Sequence, residues 1–98
     1  MTRKLVFRRV ADAEFNEAAL WYERQRDGLG LDLIEQVQNV IDRIAEDPLR
    51  YPIILRDIRE AIVSRFPFAV YYHVKTDRIV ILAVFHCSRD PSIWQSRN

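Results

Sequence analysis

Two long apolar runs near the end of the chain are separated by a short polar segment. The runs occupy residues 68–74 and 79–85, are rich in β-branched and aromatic residues, and flank Thr76 and Asp77. This pattern predicts a β-hairpin. Because residues 79–85 include no polar side chain, the second strand is expected to be covered on both faces.

Two earlier stretches carry apolar residues at helical spacing, which predicts two amphipathic helices. In residues 10–26 the apolar stripe consists of Ala11, Phe15, Ala18, Ala19 and Tyr22. In a second helix, from residue 29 or 31 to 46, it consists of Leu33, Ile34, Val37, Val40, Ile41 and Ile44. Gly28 and Gly30 separate the helices and Pro48 follows the second, so a tight antiparallel helix hairpin is expected.

The order of these elements predicts an α+β fold. Residues 4–8 and 58–64 are further strand candidates, and residues 49–57 are predicted to be a loop that could be extended at 53–55. The expected order is β-α-α-β-β-β, with an antiparallel-rich four-stranded sheet packed on the helical hairpin. A length of 98 residues suits one domain spanning residues 1–98.

Composition narrows the classes of function. The chain has 15 basic and 14 acidic residues and a formal net charge of +1, which argues against a general nucleic-acid binder and predicts no direct, specific DNA binding. One cysteine permits no internal disulfide. No apolar run approaches the roughly 20 residues of a membrane span, and no signal-peptide core is present, so a cytoplasmic location without membrane attachment is expected.

Two helices can cover only one face of the predicted sheet. One alternating set of strand residues is then expected to lack an internal partner: Phe68, Val70, Tyr72, Val74, Val80, Leu82 and Val84. Leu20 and Trp21 lie beside the stripe of the first helix and extend this predicted contact surface, although Trp21 could instead be a structural aromatic packed under the following loop. Such a patch favours a protein partner over cover by the chain's own loop, residues 51–57, and tail, with Ile93 and Trp94.

Few residues could carry chemistry. The spacing of His73, His86 and the one cysteine does not suit a metal site, and no glycine-rich phosphate loop is present, so neither metal nor cofactor is expected. Arg65 and His86 lie at the two ends of the hairpin and could form an RNA-cleaving pair. Equally, Arg65 could pair with a carboxylate and His86 could hydrogen-bond to the tail that follows it.

The chain resembles the RelE/ParE superfamily of bacterial toxins from toxin–antitoxin systems over nearly its whole length. The matching segments are Ala18-Ala19-Leu20-Trp21-Tyr22-Glu23, Gly28-Leu29-Gly30, Asp47-Pro48, Tyr51-Pro52, Arg59, Arg65-Phe66-Pro67-Phe68, Tyr71-Tyr72, His86, Arg89-Asp90-Pro91 and Trp94. The resemblance implies the fold predicted above. It also implies a small antitoxin that buries apolar surface of the toxin, which agrees with the predicted uncovered face.

Within the superfamily the pattern is most similar to ParE, which implies inhibition of DNA gyrase and neutralisation by a ParD-like antitoxin. No catalytic residue is then expected. A polar cluster is instead expected to contact the target or to be structural: Arg59, Arg65, His86, Arg89, Asp90 and Trp94.

Two other hypotheses remain open. The first is a RelE-like, ribosome-dependent mRNA endonuclease using Arg65 and His86, although ribosome binding favours a more basic chain than one of charge +1. The second is a toxin-like remnant that keeps only a partner-binding role.

Overall fold

A computed structural model describes residues 3–97. Along the chain the elements are β1 (Lys4–Phe7), α1 (Arg9–Gln25), α2 (Leu29–Glu46), β2 (Ile53–Leu55), β3 (Ile58–Ile62), β4 (Phe68–Val74), β5 (Arg78–His86) and α3 (Ser92–Gln95). The predicted helix hairpin and the β4–β5 hairpin are therefore confirmed, and the fold is α+β.

The sheet differs from the predicted one in strand number and direction. Five strands lie in the order β1-β5-β4-β3-β2, and β1 runs parallel to β5 while the other neighbours are antiparallel. The prediction of four strands was wrong because β2, at three residues, is too short for its alternation to be read. The helices α1 and α2 lead the chain from β1 to β2 at the opposite edge of the sheet, and the antiparallel run β2-β3-β4-β5 returns it to β1, which β5 meets in parallel.

The two helices cross closely at Gly30. A Cβ atom built on Gly30 would lie 2.5 Å from the backbone oxygen of Ala19 and 3.1 Å from Cβ of Glu23. Gly28, which precedes α2, has φ +87°, a left-handed conformation that L side chains disfavour. The two glycines thus have separate roles, one in packing α1 against α2 and one in turning the chain.

The main core lies between the helix hairpin and one face of the sheet. From α2 it includes Leu33, Val37, Val40, Ile41 and Ile44, from the sheet Ala61, Phe68, Val70, Tyr72, Ile79, Ile81 and Val84, and from the segment after β3 Val63. The Tyr72 hydroxyl donates to the carbonyl oxygen of Pro48 at 2.7 Å, so this large side chain also fixes the end of α2. Burial of such a surface is the main term that stabilises the fold.

A β-bulge in β5 divides the residues expected to share one sheet face. Tyr71 pairs with Ala83 and Tyr72 with Ile81, which leaves Leu82 as an extra residue. As a result Leu82 and Ala83 both face away from the helices. Phe68, Val70, Tyr72 and Val84, with Val74 at the margin, pack on the helix side, whereas Val80 and Leu82 lie on the far face. The prediction that these seven residues share one face was wrong.

The far face of the sheet is covered by the C-terminal segment of the chain itself. Its cluster contains Ile58, Ala69, Tyr71, Val80, Leu82, Ala83, Phe85 and Trp94. The Trp94 ring stacks on Tyr71 with centroids 3.9 Å apart and an interplanar angle of 14°. The guanidinium of Arg89 lies over the Phe85 ring, 4.3 Å from its centroid. A partner was favoured over the chain's own loop and tail as the cover of this face; in the structure the tail covers it through Trp94, and Leu55 of the loop packs at the margin.

The close helix crossing gives a direct test of this fold. Gly30→Ala forces a methyl group toward the Ala19 carbonyl, so the free energy of unfolding should fall by about 2 kcal/mol, as in other overpacked cores. Gly28→Ala meets no neighbouring atom and should cost about 1 kcal/mol through backbone strain alone. Urea denaturation followed by circular dichroism measures both. A Gly30→Ala variant as stable as the parent chain would contradict the crossing.

Candidate protein-interaction site

Helix α1 exposes two large apolar side chains on opposite flanks. Leu20 is 59% exposed and Trp21 is 53% exposed, and both lie in the C-terminal half of α1. Each borders a depression in the surface, defined below as the Leu20 groove and the Trp21 groove. Exposed apolar side chains beside concave, mainly apolar surface are typical of protein-binding sites.

The Trp21 groove lies between α1 and the ends of β4 and β5. Its volume is about 250 Å³, and its lining consists of Ala18, Trp21, Tyr22, Phe68 and His86. The rings meet edge to face: Trp21 and Tyr22 have centroids 5.0 Å apart, and Phe68 and His86 have centroids 5.1 Å apart. These contacts hold the walls in fixed orientations, as favourable aromatic pairs do.

The Trp21 groove continues into a more polar depression of about 260 Å³. Four residues line both parts, and the extension adds Glu14, Glu17, Val84 and Arg89. One end of the groove is therefore aromatic, whereas the other carries carboxylates and a guanidinium. A ligand that fills the whole groove would need an apolar anchor followed by polar groups.

At the floor of this extension, Glu14 hydrogen-bonds to the part of β5 that has no strand beside it on the β1 side. Strand β1 ends opposite Ile81, and beyond that point the Val84 N–H donates to Glu14 Oε1 at 3.3 Å. The Leu82 carbonyl oxygen accepts from Arg97 Nη1 at 3.3 Å. Side chains from α1 and the C-terminal segment thus occupy backbone groups that an open sheet edge would otherwise offer to another strand.

The Glu14 carboxylate also receives two guanidinium groups. Arg97 donates Nη1 to Oε1 at 3.0 Å and Nη2 to Oε2 at 2.9 Å, a two-pronged arrangement that is among the stronger ion pairs. Arg89 donates Nη1 to Oε2 at 3.1 Å. Since the side chains of Glu14 and Arg97 are only 10% and 14% exposed, solvent screens this pair weakly.

The Leu20 groove lies between the C-terminal half of α1 and the first turns of α2. It has a volume of about 220 Å³ and is lined by Ala19, Leu20, Glu23, Gly30, Leu31 and Ile34. Glu23 accepts the N–H groups of Gly28 and Gly30 at 2.9 and 3.0 Å, so its carboxylate satisfies free amides at the start of α2. This contact fixes α2 against α1 and holds the groove open between Leu20 and Leu31.

The structure does not assemble Arg65 and His86 into one site. His86 lines the Trp21 groove, whereas Arg65 lines neither part of it and lies in a left-handed turn with φ +70°. His86 Nδ1 accepts the Ser88 N–H at 3.0 Å and lies 2.7 Å from Ser88 Oγ. The accepting Nδ1 assigns the ring proton of neutral His86 to Nε2.

The rest of the predicted polar cluster is dispersed and makes structural contacts. Arg59 donates Nη1 to the carbonyl oxygens of Leu49 and Tyr51, which fixes the segment after α2. Asp90 accepts the Ser92 N–H at 3.0 Å, and this bond, with a side-chain bond to Ser92, lowers the pKa of its carboxyl. Trp94 is buried on the far face of the sheet.

The two tyrosines of β4 cannot act as bases near neutral pH. Burial, followed by a hydrogen bond to Glu60, raises the pKa of Tyr71. Burial raises the pKa of Tyr72 to about 12, against an opposing effect of Arg59. Both hydroxyls therefore remain protonated donors, to Glu60 and to Pro48.

Within residues 3–97, no group of three or more His, Cys, Asp or Glu side chains has the geometry to hold a metal ion. Over the same residues, no helix combines the length and the apolarity needed to cross a lipid bilayer.

Comparisons with known proteins place the chain in a family. The family model for the ParE toxin of the type II toxin–antitoxin system parDE matches residues 5–91. The chain belongs to this ParE toxin family. A search of curated proteins finds no match.

Among solved structures the chain is similar to one described as the chromosomal ParDE TA system from P. aeruginosa. The TM-score is 0.77 at 18% sequence identity, and the alignment covers 87% of this chain and 96% of the other. At this identity the likeness concerns the fold, so the ParE-family assignment rests on the family model.

Three residues of the candidate site were not predicted. Glu14 has a signal in the sequence, because it lies three residues after Ala11 and four before Ala18, within the buried stripe of α1. A carboxylate in that position needs a partner. Glu23 and Arg97 have no comparable signal, since their partners are distant in sequence or are backbone amides.

The Glu14 contacts predict a measurable stability loss. Glu14→Gln keeps the size of the side chain but removes the charge that Arg89 and Arg97 share, so the free energy of unfolding should fall by about 2 kcal/mol. Asp32→Asn is the matched control, because its pair with Arg26 is exposed and 3.9 Å long, and it should change stability by less than about 0.5 kcal/mol. Equal effects in urea denaturation would contradict a special role for Glu14.

Proposed function

We propose that this chain is the toxin of a type II toxin–antitoxin module, that it inhibits DNA gyrase, and that a tightly bound ParD-like antitoxin neutralises it. The observation that carries the proposal is the ParE family match over residues 5–91. The toxin acts in the cytoplasm as one domain and without catalytic chemistry, by binding its target.

The geometry of the chain supports a mechanism by binding. Arg65 does not line the groove that contains His86, the Tyr71 and Tyr72 hydroxyls are held as donors, and Arg59 is engaged with backbone carbonyls. Arg65 and His86 therefore do not face one cavity, whereas an RNA-cleaving pair would have to act on one phosphate. The net charge of +1 likewise gives little attraction for a ribosome.

We place the antitoxin contact on the two flanks of α1. Six of the seven strand residues first predicted for this role are buried, four of them beneath the helices, whereas Leu20 and Trp21 remain exposed. The two grooves on either side of α1 could receive apolar side chains from one antitoxin segment that orders on binding. Anchors of this kind contribute most of the affinity of an interface.

The antitoxin contact is tested by a matched pair of leucines. Leu20 and Leu49 are 59% and 58% exposed, but only Leu20 lines a groove of the helix hairpin. Leu20→Ala should weaken binding of the antitoxin, taken from the neighbouring reading frame, by roughly tenfold to thirtyfold, as expected for an anchor residue. Leu49→Ala should leave the dissociation constant unchanged in isothermal titration calorimetry. Equal weakening by both variants would reject the proposed surface.

The proposed target is tested in a plasmid supercoiling assay. The purified chain should block supercoiling by the gyrase of its own host, and prior addition of antitoxin should restore activity, because the antitoxin removes the free toxin. Relaxation by a type I topoisomerase is the control and should not change. Gyrase that remains active at toxin concentrations that arrest growth would refute this target.

The Arg65→Ala variant separates the proposal from the endonuclease hypothesis. Arg65 is exposed, and neither groove includes it, so gyrase inhibition and antitoxin binding should persist. Loss of growth arrest together with loss of ribosome-dependent mRNA cleavage would favour the endonuclease. His86→Ala is less suitable for this purpose because His86 lines the Trp21 groove.

A further inference from the structure

A second concave site lies on the far face of the sheet, away from both grooves. It has a volume of about 280 Å³ and is called the Arg8 pocket below. Its lining consists of Val6, Arg8, His73, Lys75, Arg78 and Val80. The predicted polar cluster and the predicted antitoxin surface share only Val80 with this pocket.

The strand register explains why these residues converge. Val6 pairs with Val80, and Val80 pairs with His73, so one residue from each of three adjacent strands forms the floor. The residue two positions away on each strand points to the same face. On β1 and its continuation this residue is Arg8, on β4 and its continuation it is Lys75, and on β5 it is Arg78. Three neighbouring strands thus each supply one floor residue and one cation.

The floor contains a buried polar atom without a partner. His73 is 2% exposed, and its Nδ1 makes no hydrogen bond among the described residues. The nearest carboxylate oxygen, Asp57 Oδ2, lies 3.9 Å away, which is too long for a hydrogen bond. Buried polar groups normally have partners, so an unpaired imidazole in the wall of a cavity is a feature to be explained.

The pocket also holds cations that lack a carboxylate partner. Within residues 3–97, Arg8 and Lys75 form no ion pair, while Arg78 Nη1 lies 3.0 Å from Asp77 Oδ1. Burial lowers the pKa of His73, and the charges of Lys75, Arg8 and Arg78 lower it further against the opposing effect of Asp57. The imidazole is therefore neutral near pH 7, and the positive potential comes from the three longer side chains. A concave surface concentrates such a potential.

We propose that the Arg8 pocket binds a single phosphate group. A phosphate offers several acceptor oxygens, which suits the guanidinium groups of Arg8 and Arg78, the Lys75 ammonium and a ring N–H of His73. The cations converge on one pocket instead of following a strip of surface, and the whole chain carries a charge of only +1. The site therefore fits an isolated phosphate or a phosphate monoester better than a nucleic-acid backbone.

Calorimetric titration with inorganic phosphate and with adenosine monophosphate tests the proposal. Saturable binding of one equivalent is expected, and Arg8→Gln should weaken it roughly tenfold, because a charge-assisted hydrogen bond is lost. Arg24→Gln removes the same charge from the exposed side of α1 and should leave binding unchanged. Tighter binding of one ligand identifies the source of the phosphate. No saturable binding, or equal losses in both variants, would overturn the site.

Nuclear magnetic resonance of the histidine rings locates the bound anion. Bound phosphate should raise the pKa of His73, because a nearby anion stabilises the imidazolium form. The Arg8→Gln variant should suppress this response. An unchanged His73 titration during saturable phosphate binding would place the anion elsewhere and reject the pocket. Tighter binding of a short single-stranded oligonucleotide than of either phosphate would reject a single-phosphate site.

Discussion

The pairing of β4 with β5 is the constraint on which the rest of the structure depends. These strands carry most of the buried apolar residues on both faces of the sheet, so every other element is positioned by covering one of those faces. The extra residue Leu82 sets how the side chains are shared. Before the bulge, Ile79 and Ile81 face the helices, and after it Val84 does, while Leu82 and Ala83 face the C-terminal segment. A strand without the bulge would reverse the faces of Val84 and Phe85.

Because the helices cover one face of the sheet and the C-terminal segment covers the other, a partner has to bind elsewhere on the chain. Trp94 and the guanidinium of Arg89 cover the apolar part of the far face, and large exposed apolar groups occur on the helices and near the outer strands. Glu14 links the Trp21 groove to the C-terminal segment. Its side chain lines the groove, and its carboxylate accepts hydrogen bonds from the backbone of β5 and from the guanidinium of Arg97. The wall of the Trp21 groove and the closure of the far face are therefore parts of one hydrogen-bonded unit.

The sequence predicted the elements with strong periodicity and failed where a contact depends on three-dimensional placement. Both long helices and the β4–β5 hairpin follow from spacing alone. The position of Leu20 and Trp21 beside the apolar stripe follows from the same spacing, but the exposure of Trp21 does not, because the sequence also allowed it to pack under the following loop. The bulge at Leu82 has no signature in an unbroken apolar run. The parallel pairing of β1 and the stacking of Trp94 on Tyr71 link distant positions, which local patterns do not specify. The polar cluster was expected from the meeting of the hairpin ends and from the family resemblance. The structure brings only His86 and Arg89 to one depression, because the contacts of the other members are set by the three-dimensional fold.

The pairing of β1 with β5 has a consequence for the order of events during synthesis. Lys4 pairs with Arg78, so the first strand leaves the ribosome long before its neighbour exists. Contacts between such distant segments form slowly, because a long loop must close before they contribute. The Trp21 groove is subject to the same delay, since its walls combine α1 with Phe68 and His86. A nascent chain that has completed only its helices therefore has Trp21 but not yet the groove beside it.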